Sequence, residues 1–354
     1  MIGIEETKKR ILGHYKKYPQ LELQDIFKYV YQSSFGCEHL LASEERAREY
    51  IKREYAECKG IIPGTDKLDG AYSRVSLACL DDGLAPETLA RLFCLSAKKE
   101  DTGEMALKSK LCCVRALIDE GLLPFSTEEF EENLKVWAEA GYPAVHHSQA
   151  FRAEYRPAYR VIADEFVQFL PLFSKIDRLL EQGNVILAVE GGSASGKSTL
   201  AEMLSKIYAC TLFHMDDFFL RPEQRTAKRL SEIGGNVDRE RFLSEVLLPL
   251  SEQKTVRYKK FDCSMGALGE TEELEPKKLT VVEGAYSMHP ELEVFYNLSV
   301  FLDISPELQR ARIEKRNSPA FAERFFNTWI PMENRYFEAT GAKARCSVSF
   351  EIKQ

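Results

Sequence analysis

The stretch from Val185 to Tyr208 constrains the fold of this chain more than any other part of the sequence. It opens with a continuous apolar run, Val185–Val189, which is typical of a strand buried on both faces of a parallel sheet. Residues 191–198 read GGSASGKS and fit the pattern G-x-x-x-x-G-K-[ST]. The apolar residues that follow have the spacing of one helix face: Leu200, Met203, Leu204 and Ile207. The order of strand, glycine loop and helix predicts a phosphate-binding loop.

The residue types in this loop suit the phosphates of ATP. Gly191 and Gly196 allow the backbone to turn sharply and to approach a phosphate, toward which the loop N–H groups point. Lys197 is expected to place its ammonium on the β- and γ-phosphates, and the Ser198 hydroxyl to ligate Mg²⁺. The predicted ATP-binding residues of the loop are Gly191, Gly192, Ser193, Ala194, Ser195, Gly196, Lys197, Ser198 and Thr199.

Composition narrows the class of protein. The 354 residues suggest two domains, and the net charge of −7 argues against a nucleic-acid partner. The sequence has no run of 18 apolar residues and no signal peptide at its N-terminus, so we expect no membrane span. Nine cysteines without a C-x-x-C pair favour reduced thiols and a cytoplasmic location. The sequence leaves the oligomeric state open, including a homo-oligomer.

Residues 1–180 are predicted to form a mainly helical domain of unknown role, which ends at a helix stop, Glu181–Asn184. One segment of it is dense in Arg, Tyr and His and has no clear amphipathic pattern. It indicates either a pocket for an anion or polar ligand, or a loop that packs against the helical core. The candidates here are His146, His147, Arg152, Arg156 and Arg160, and further candidates are Cys37, Glu38, His39, and Tyr72, Ser73 and Arg74. His146 and His147 are adjacent, so no metal-ligand spacing is met.

Residues 184–354 are predicted to form the phosphate-loop domain, with acids at the ends of two further strands. Cys210–His214 runs directly into Asp216, which is placed to act as general base toward an acceptor hydroxyl or to help hold Mg²⁺. Leu279–Glu283 is a buried strand that ends in an acid, which makes Glu283 a candidate for the metal site. Asp238 is placed to cap the helix that follows it.

This half of the chain resembles the uridine kinase and phosphoribulokinase family of phosphate-loop kinases. The matching pieces are GGSASGKST (191–199), MDDFF (215–219), GGNVDRERF (234–242), VVEG (281–284) and FLDISPELQRARIEKR (301–316). The resemblance implies an α/β domain with a parallel sheet flanked by helices, and ATP-dependent phosphorylation of a hydroxyl on a small molecule. It also implies that Asp216 is the base, Asp238 holds sugar hydroxyls, Glu283 serves the metal, and Arg312 and Arg316 are lid residues that meet ATP phosphates.

Two features depart from the nucleoside kinases of that family. Where those enzymes carry Tyr-Asp-Phe and a nearby His against the pyrimidine, this chain has Phe261, Asp262 and Cys263. Phe261 remains a substrate-binding candidate, but the polar groups that discriminate a base are absent from this place. The lid is short, because only Asn317–Pro319 separates Arg316 from the next helix.

The sequence therefore leads to one main hypothesis, a Mg·ATP-dependent kinase for a small hydroxylated metabolite that is nucleoside-like or sugar-like. One alternative is a genuine uridine or cytidine kinase with an extra domain. Another is an ATP-binding switch that controls the N-terminal domain without phosphorylating a metabolite. A third is a bifunctional chain in which the His146–His147 and arginine segment forms an independent active site.

Overall fold

The computed structural model describes residues 3–36, 43–58, 63–97 and 103–353. The chain divides into two compact units, Met1–Asp177 and Arg178–Gln354. We call them the N-terminal unit and the C-terminal unit.

The N-terminal unit is mainly helical, with one small sheet. Its helices are α1 Ile4–Lys17, α2 Leu23–Phe35, α3 Glu44–Glu57, α4 Pro86–Ser96, α5 Gly103–Asp119, α6 Thr127–Glu139, α7 Gln149–Tyr155, α8 Asp164–Val167 and α9 Leu170–Gln182, of which α9 continues into the C-terminal unit. Its strands are β1 Thr65–Lys67, β2 Tyr72–Ser76 and β3 Tyr159–Ala163. The strands pair antiparallel in the order β1-β2-β3.

Local signals explain where several of these helices begin. The Ser43 and Ser126 hydroxyls each accept a hydrogen bond from the backbone N–H three residues later, as N-caps do. Pro86 occupies the first turn of α4, where its missing N–H costs nothing. Helix α5 packs against α1, α2 and α6, and its fully buried Leu107 and Val114 lie on that side of the core.

The sheet of this unit departs from the sequence prediction. Strand β1 lies in a segment rich in turn-forming residues, 63–70, and pairs with β2. The segment around Arg160 gave no clear pattern, yet it forms β3 against β2. Both strands are short and rely on β2 for their hydrogen bonds, so their own sequences carry little periodic signal.

The C-terminal unit has a parallel sheet flanked by helices. Its strands are β4 Val185–Gly191, β5 Cys210–His214, β6 Val256–Asp262, β7 Ala267–Leu274, β8 Leu279–Glu283, β9 Leu298–Ile304 and β10 Val348–Ile352. Its helices are α10 Lys197–Ile207, α11 Ala227–Ser231, α12 Arg239–Phe242, α13 Leu248–Ser251, α14 Pro306–Arg316, α15 Pro319–Arg324, α16 Ile330–Thr340 and α17 Ala342–Arg345. The five-stranded sheet has the order β10-β9-β4-β8-β5, with every neighbouring pair parallel.

The register of the central strands positions the site. Glu283 at the end of β8 pairs with Val189 of β4 on one side and with His214 of β5 on the other. The carboxyl ends of parallel strands meet at one edge of the sheet, where ligands bind in α/β folds. Strands β6 and β7 form a separate antiparallel hairpin. The α/β fold predicted for this half is confirmed.

Candidate active site

The loop between β4 and α10 has the backbone of a phosphate cradle. Gly191 adopts φ +150°, and a Cβ there would lie 2.6 Å from the Leu302 carbonyl oxygen, so no larger residue fits. Gly196 adopts φ +99° and Ala194 φ +62°, in the left-handed region that closes a tight loop. The Ser195 hydroxyl is buried inside the loop and has no hydrogen-bond partner within the protein.

The two polar residues that begin α10 face different partners. Lys197 Nζ donates to the Gly192 carbonyl oxygen at 2.9 Å, which folds the ammonium back over the loop. The Ser198 hydroxyl donates to Glu283 Oε1 at 3.0 Å, while Thr199 is exposed. The structure therefore brings together the loop hydroxyl and the strand-end acid, which lie 85 positions apart.

His214 is a site residue that the sequence reasoning did not single out. Its Nδ1 lies 2.6 Å from Glu283 Oε1, the same oxygen that accepts from Ser198. The hydrogen bond with Glu283 raises the pKa of His214 above its ordinary value, although burial opposes the shift. The available signal was its position as the last residue of a strand that runs into Asp216.

Asp216 lies in the single 3-10 turn that follows β5, Met215–Phe218. Its side chain is open to solvent, but the surrounding protein desolvates the carboxylate and raises its pKa, and the Glu283 charge adds to this. The positive charge of Lys197 acts in the opposite direction. The charges of Lys197 and Glu283 thus both act on the Asp216 carboxylate, and its role as a base stays a prediction.

The outer side of the loop is held by residues that the sequence reasoning missed. Glu333 of α16 accepts from the Ser193 N–H at 2.9 Å and from its hydroxyl at 2.6 Å. Gln309 of α14 donates to the Ser193 carbonyl oxygen at 2.8 Å. Arg312, a predicted lid residue, donates to the Ala194 carbonyl oxygen at 2.8 Å. These contacts fix the tip of the loop. The sequence near the loop contains no pattern that predicts them.

A buried carboxylate supports the loop from beneath. Glu190 is 0% exposed and accepts hydrogen bonds from the N–H groups of Gly191, Tyr286 and Met288 and from the Tyr336 hydroxyl, at 2.9–3.1 Å. Burial raises its pKa to about 7, while the hydrogen bonds from Met288 and Gly191 act to lower it. Glu190 therefore ties the end of β4 to the segment after β8 and to α16.

The remaining predicted site residues, Asp238, Phe261 and Arg316, each contact other side chains of the protein. Asp238 is buried and caps α12, with Oδ1 accepting from the Arg241 N–H and Oδ2 accepting from Gln224 at 3.0 Å. Phe261 is buried in the β6–β7 hairpin, with the Arg225 guanidinium 5.7 Å from its ring centre. Arg316 lies over the ring of Phe325 at 5.3 Å, and its charge lowers the pKa of Asp216.

The residues present fit Mg·ATP. Carboxylate and hydroxyl oxygens are the ligands that Mg²⁺ prefers, and Ser198 and Glu283 supply one of each in direct contact. The glycine cradle and the Lys197 ammonium match the phosphates of a nucleotide. Ser198 and Glu283 would hold the metal, and Lys197 with the loop N–H groups would hold the phosphates.

The N-terminal candidates separate into different environments. His147 is buried, with Nδ1 2.8 Å from Asp25 and Nε2 2.6 Å from the Tyr159 hydroxyl, whereas His146 is exposed. Arg160 pairs with Glu54 at 2.7 Å, and Arg152 is exposed on α7. Arg156 and the buried Arg74 line one cavity.

The other sequence candidates of this unit are Tyr72 and Ser73 in β2, and Cys37, Glu38 and His39. Tyr72 and Ser73 are buried in β2, and the Ser73 hydroxyl donates to Asp164 at 2.6 Å. Cys37, Glu38 and His39 lie outside the described residues. Among the described residues, no group of three or more His, Cys, Asp or Glu side chains could hold a metal ion.

Comparison with known proteins agrees with the geometry of the C-terminal unit. Residues 186–318 match the Phosphoribulokinase / Uridine kinase family. The resemblance predicted from the sequence is thereby confirmed for this part of the chain, and the family supports a kinase.

Individual relatives are distant. A phosphoribulokinase from Synechocystis sp. is 25% identical over 130 residues, which are 35% of this chain and 39% of that protein, so the match spans well under half of the relative. A structure described as a possible uridine kinase from Bacillus stearothermophilus is 22% identical, covers 51% of this chain and 98% of its own, and has a TM-score of 0.38. A fructose transport system kinase from Silicibacter sp. TM1040 is 24% identical, covers 48% and 90%, and has a TM-score of 0.40.

Two findings bear on the cell compartment and the membrane. Within the described part of the chain, no helix is both long enough and apolar enough to cross a bilayer. The eight cysteines that the structure describes are all free thiols. The cytoplasmic location expected from the sequence stays a prediction.

Proposed function

We propose that the C-terminal unit transfers the γ-phosphoryl group of Mg·ATP to a hydroxyl group of a small metabolite. The observation that carries the proposal is the hydrogen bond between Ser198 and Glu283 beside the Lys197 loop, with Asp216 in the turn after β5, whose last residue His214 contacts the same Glu283 oxygen. A nucleotide-binding switch needs Ser198, Glu283 and Lys197, but it has no use for an additional carboxylate such as Asp216 at the acceptor position.

Each residue has a defined part in this reaction. Lys197 and the loop N–H groups would bind and orient the phosphates, and Ser198 and Glu283 would hold the metal, which would offset phosphate charge. Asp216 accepts the proton of the acceptor hydroxyl as the hydroxyl oxygen attacks the γ-phosphorus, the bond from that phosphorus to the β–γ bridging oxygen breaks, and ADP leaves. The raised pKa of Asp216 brings this base nearer to the working pH, where a general base is most effective.

Arg312 and Arg316 are proposed to offset charge on the transferring group. Both follow β9 on α14 at the side of the loop. Arg312 already contacts the Ala194 carbonyl oxygen, so it reaches the loop directly. Asp238 and Phe261 are proposed as walls of the acceptor pocket, although both are engaged in contacts within the protein.

The test is ATP consumption with Mg²⁺ across nucleosides, sugars, sugar acids and vitamin alcohols. We expect one acceptor class to stimulate ATP consumption, and Asp216→Asn to lower the stimulated rate by about 10²-fold or more, because a general base contributes that much. Lys197→Ala should abolish activity in parallel, because the lysine positions the phosphates.

Asp217→Asn is the matched control for Asp216→Asn. Asp217 is the next residue in the same turn, and its carboxylate lies 4.0 Å from Lys260 Nζ. It should keep most of the activity. Near-normal transfer in Asp216→Asn would overturn the role of this residue, and tight ATP binding without stimulation by any acceptor would favour the switch.

A further inference from the structure

Arg74 of β2 is a buried cation without a counter-ion among the described residues. Its side chain is 3% exposed, Nε donates to Gln32 Oε1 at 2.9 Å, and Nη1 lies 3.5 Å from His14 Nε2. Nη2 has no hydrogen-bond partner. No carboxylate in the described ranges forms an ion pair with the guanidinium. A buried charge left in this state is costly unless a partner arrives.

Arg74 lines a cavity of about 440 Å³ in the N-terminal unit. Lys17, Asp66, Arg156 and Tyr159 also line it. Lys17 Nζ lies 2.9 Å from Asp66 Oδ1 and balances that carboxylate, so Arg74 and Arg156 leave an excess of positive charge. Asp66 Oδ2 is buried and has no hydrogen-bond partner. Arg74 and Asp66, which both line this cavity, therefore each carry one buried polar atom without a hydrogen-bond partner. His14 Nδ1 lies 4.0 Å from that Asp66 oxygen.

The wall of the cavity is held in place by a chain of hydrogen bonds. Tyr159, whose ring lies 4.9 Å from the Arg74 guanidinium, is bonded through its hydroxyl to His147 at 2.6 Å. His147 is bonded to Asp25 at 2.8 Å, and Asp25 also accepts from the Ser148 N–H and hydroxyl. Because these groups satisfy one another, Tyr159 and Arg74 are positioned before any ligand binds, which lowers the entropy cost of binding.

We propose that this cavity binds a small organic anion, whose carboxylate or phosphate group pairs with Arg74 and whose hydroxyl or ammonium group donates to Asp66. A guanidinium presents donors in a fork that matches either anionic group. The volume suits a small metabolite, at the lower end of the range for ligand pockets. This site is separate in sequence from the phosphate loop and does not depend on the proposed kinase reaction.

A purely structural Arg74 makes a different prediction from a ligand-binding one. If Arg74 serves only to pack between Tyr29 and Tyr159, removing its charge should lower the melting temperature and leave anion binding unchanged. If Arg74 binds an anion, Arg74→Met should weaken binding by about tenfold or more, while the ligand-free protein melts at the same temperature or higher because a buried unpaired charge has been removed.

The experiment titrates the full chain with sodium phosphate and, separately, with sodium glycolate, at constant ionic strength set with chloride. The background is Lys197→Ala, which weakens anion binding at the phosphate loop. Calorimetry and thermal melting should show saturable binding of at least one probe in the millimolar range. The two probes distinguish a phosphate group from a carboxylate, and acetate in place of glycolate tests the donor to Asp66.

Arg74→Met should weaken binding by about tenfold or more, the effect of losing a hydrogen-bonded charge. Arg156→Gln, at the exposed rim, should weaken binding about twofold to fivefold. Arg46→Gln removes an exposed charge on α3 outside the cavity and should change nothing. Should Arg74→Met fail to fold, Arg156→Gln decides. Equal binding in all variants, or no saturable binding of either probe in the background protein, overturns the proposal.

Discussion

The phosphate loop and the Arg74 cavity are both suited to an anion, but they are built in opposite ways. The loop is a contiguous stretch, residues 191–198, so its N–H groups and its lysine come from one segment of the chain. The cavity joins side chains from α1, β1, β2 and β3 and from the residues just after α7. The contrast teaches that a site made by one segment can be recognised from sequence, whereas a site made by tertiary contact has no local signature.

The largest expected effect tests whether the loop is as self-sufficient as its motif suggests. Glu190 accepts four hydrogen bonds from donors, and Glu190→Gln would turn an NH₂ group toward some of them. Donors that face each other in a buried site are unsatisfied, so we expect a loss of about 2–5 kcal/mol in the free energy of unfolding of the C-terminal unit. Urea unfolding followed by Trp329 fluorescence measures it.

Glu202→Gln is the matched control, because Glu202 is exposed on α10 in the same unit. It should change the free energy of unfolding very little. A Glu190→Gln protein as stable as this control would mean that the loop needs no support from Met288 and Tyr336, and the loop would then differ even more from the Arg74 cavity, which depends on tertiary contacts.

The next effect uses pH to separate the two units. Burial lowers the pKa of His147 from 6.5 to about 4, and burial together with the Arg74 charge lowers the pKa of His14 well below its ordinary value. Burial alone would raise the pKa of Asp25, but its hydrogen bonds to His147 and Ser148 bring it below its ordinary value.

These shifts act on stability in one direction. Between pH 6.5 and about 4 the unfolded chain binds a proton at His147 that the folded chain does not, so the folded state loses stability as pH falls. The loss from His147 amounts to up to about 3 kcal/mol. A depressed pKa at Asp25 adds a further loss at lower pH, as this carboxylate protonates.

The two tryptophans report this difference separately. Trp137 lies in the N-terminal unit and Trp329 in the C-terminal unit, so Trp329→Phe and Trp137→Phe each leave one reporter. On acidification from neutral pH, the Trp137 transition should shift to lower urea. His147→Gln should reduce that shift, while the exposed His146→Gln should not. An unchanged Trp137 transition would show that His147 is protonated in the folded protein.

The sequence predicted the fold of the C-terminal unit well because its signals are local. The strand Val185–Val189, the glycine loop and the helix after it each have a recognisable sequence pattern, and they follow one another directly. Glu283 was found because it ends an apolar run. Glu333, Gln309 and the bond between His214 and Glu283 were not found, since each depends on which helix or strand lies beside the loop. Register in a parallel sheet is a tertiary property.

The N-terminal unit shows the same limit more strongly. Its mainly helical character was predicted, and helices α3 and α6 begin at local signals, the N-caps Ser43 and Ser126. Strand β3 was missed, and with it the reason why Arg74 and Tyr159 lie together, because residues paired between β2 and β3 are 83 to 91 positions apart in the chain. The cluster of arginines noticed in the sequence divides between a cavity wall at Arg156 and an ion pair at Arg160.

The smallest effect asks how much of the loop's shape depends on the distant Glu333. Ser193→Ala removes the hydroxyl that donates to Glu333 at 2.6 Å but leaves the N–H bond at 2.9 Å in place. Loss of one hydrogen bond to a charged group should cost about 1.5 kcal/mol in unfolding free energy, measured by urea denaturation. Ser205→Ala, which removes an exposed hydroxyl bonded within its own helix, should cost less. Equal costs would mean that Glu333 adds nothing through this hydroxyl, and that the loop holds its tip through backbone contacts alone, as a contiguous site would.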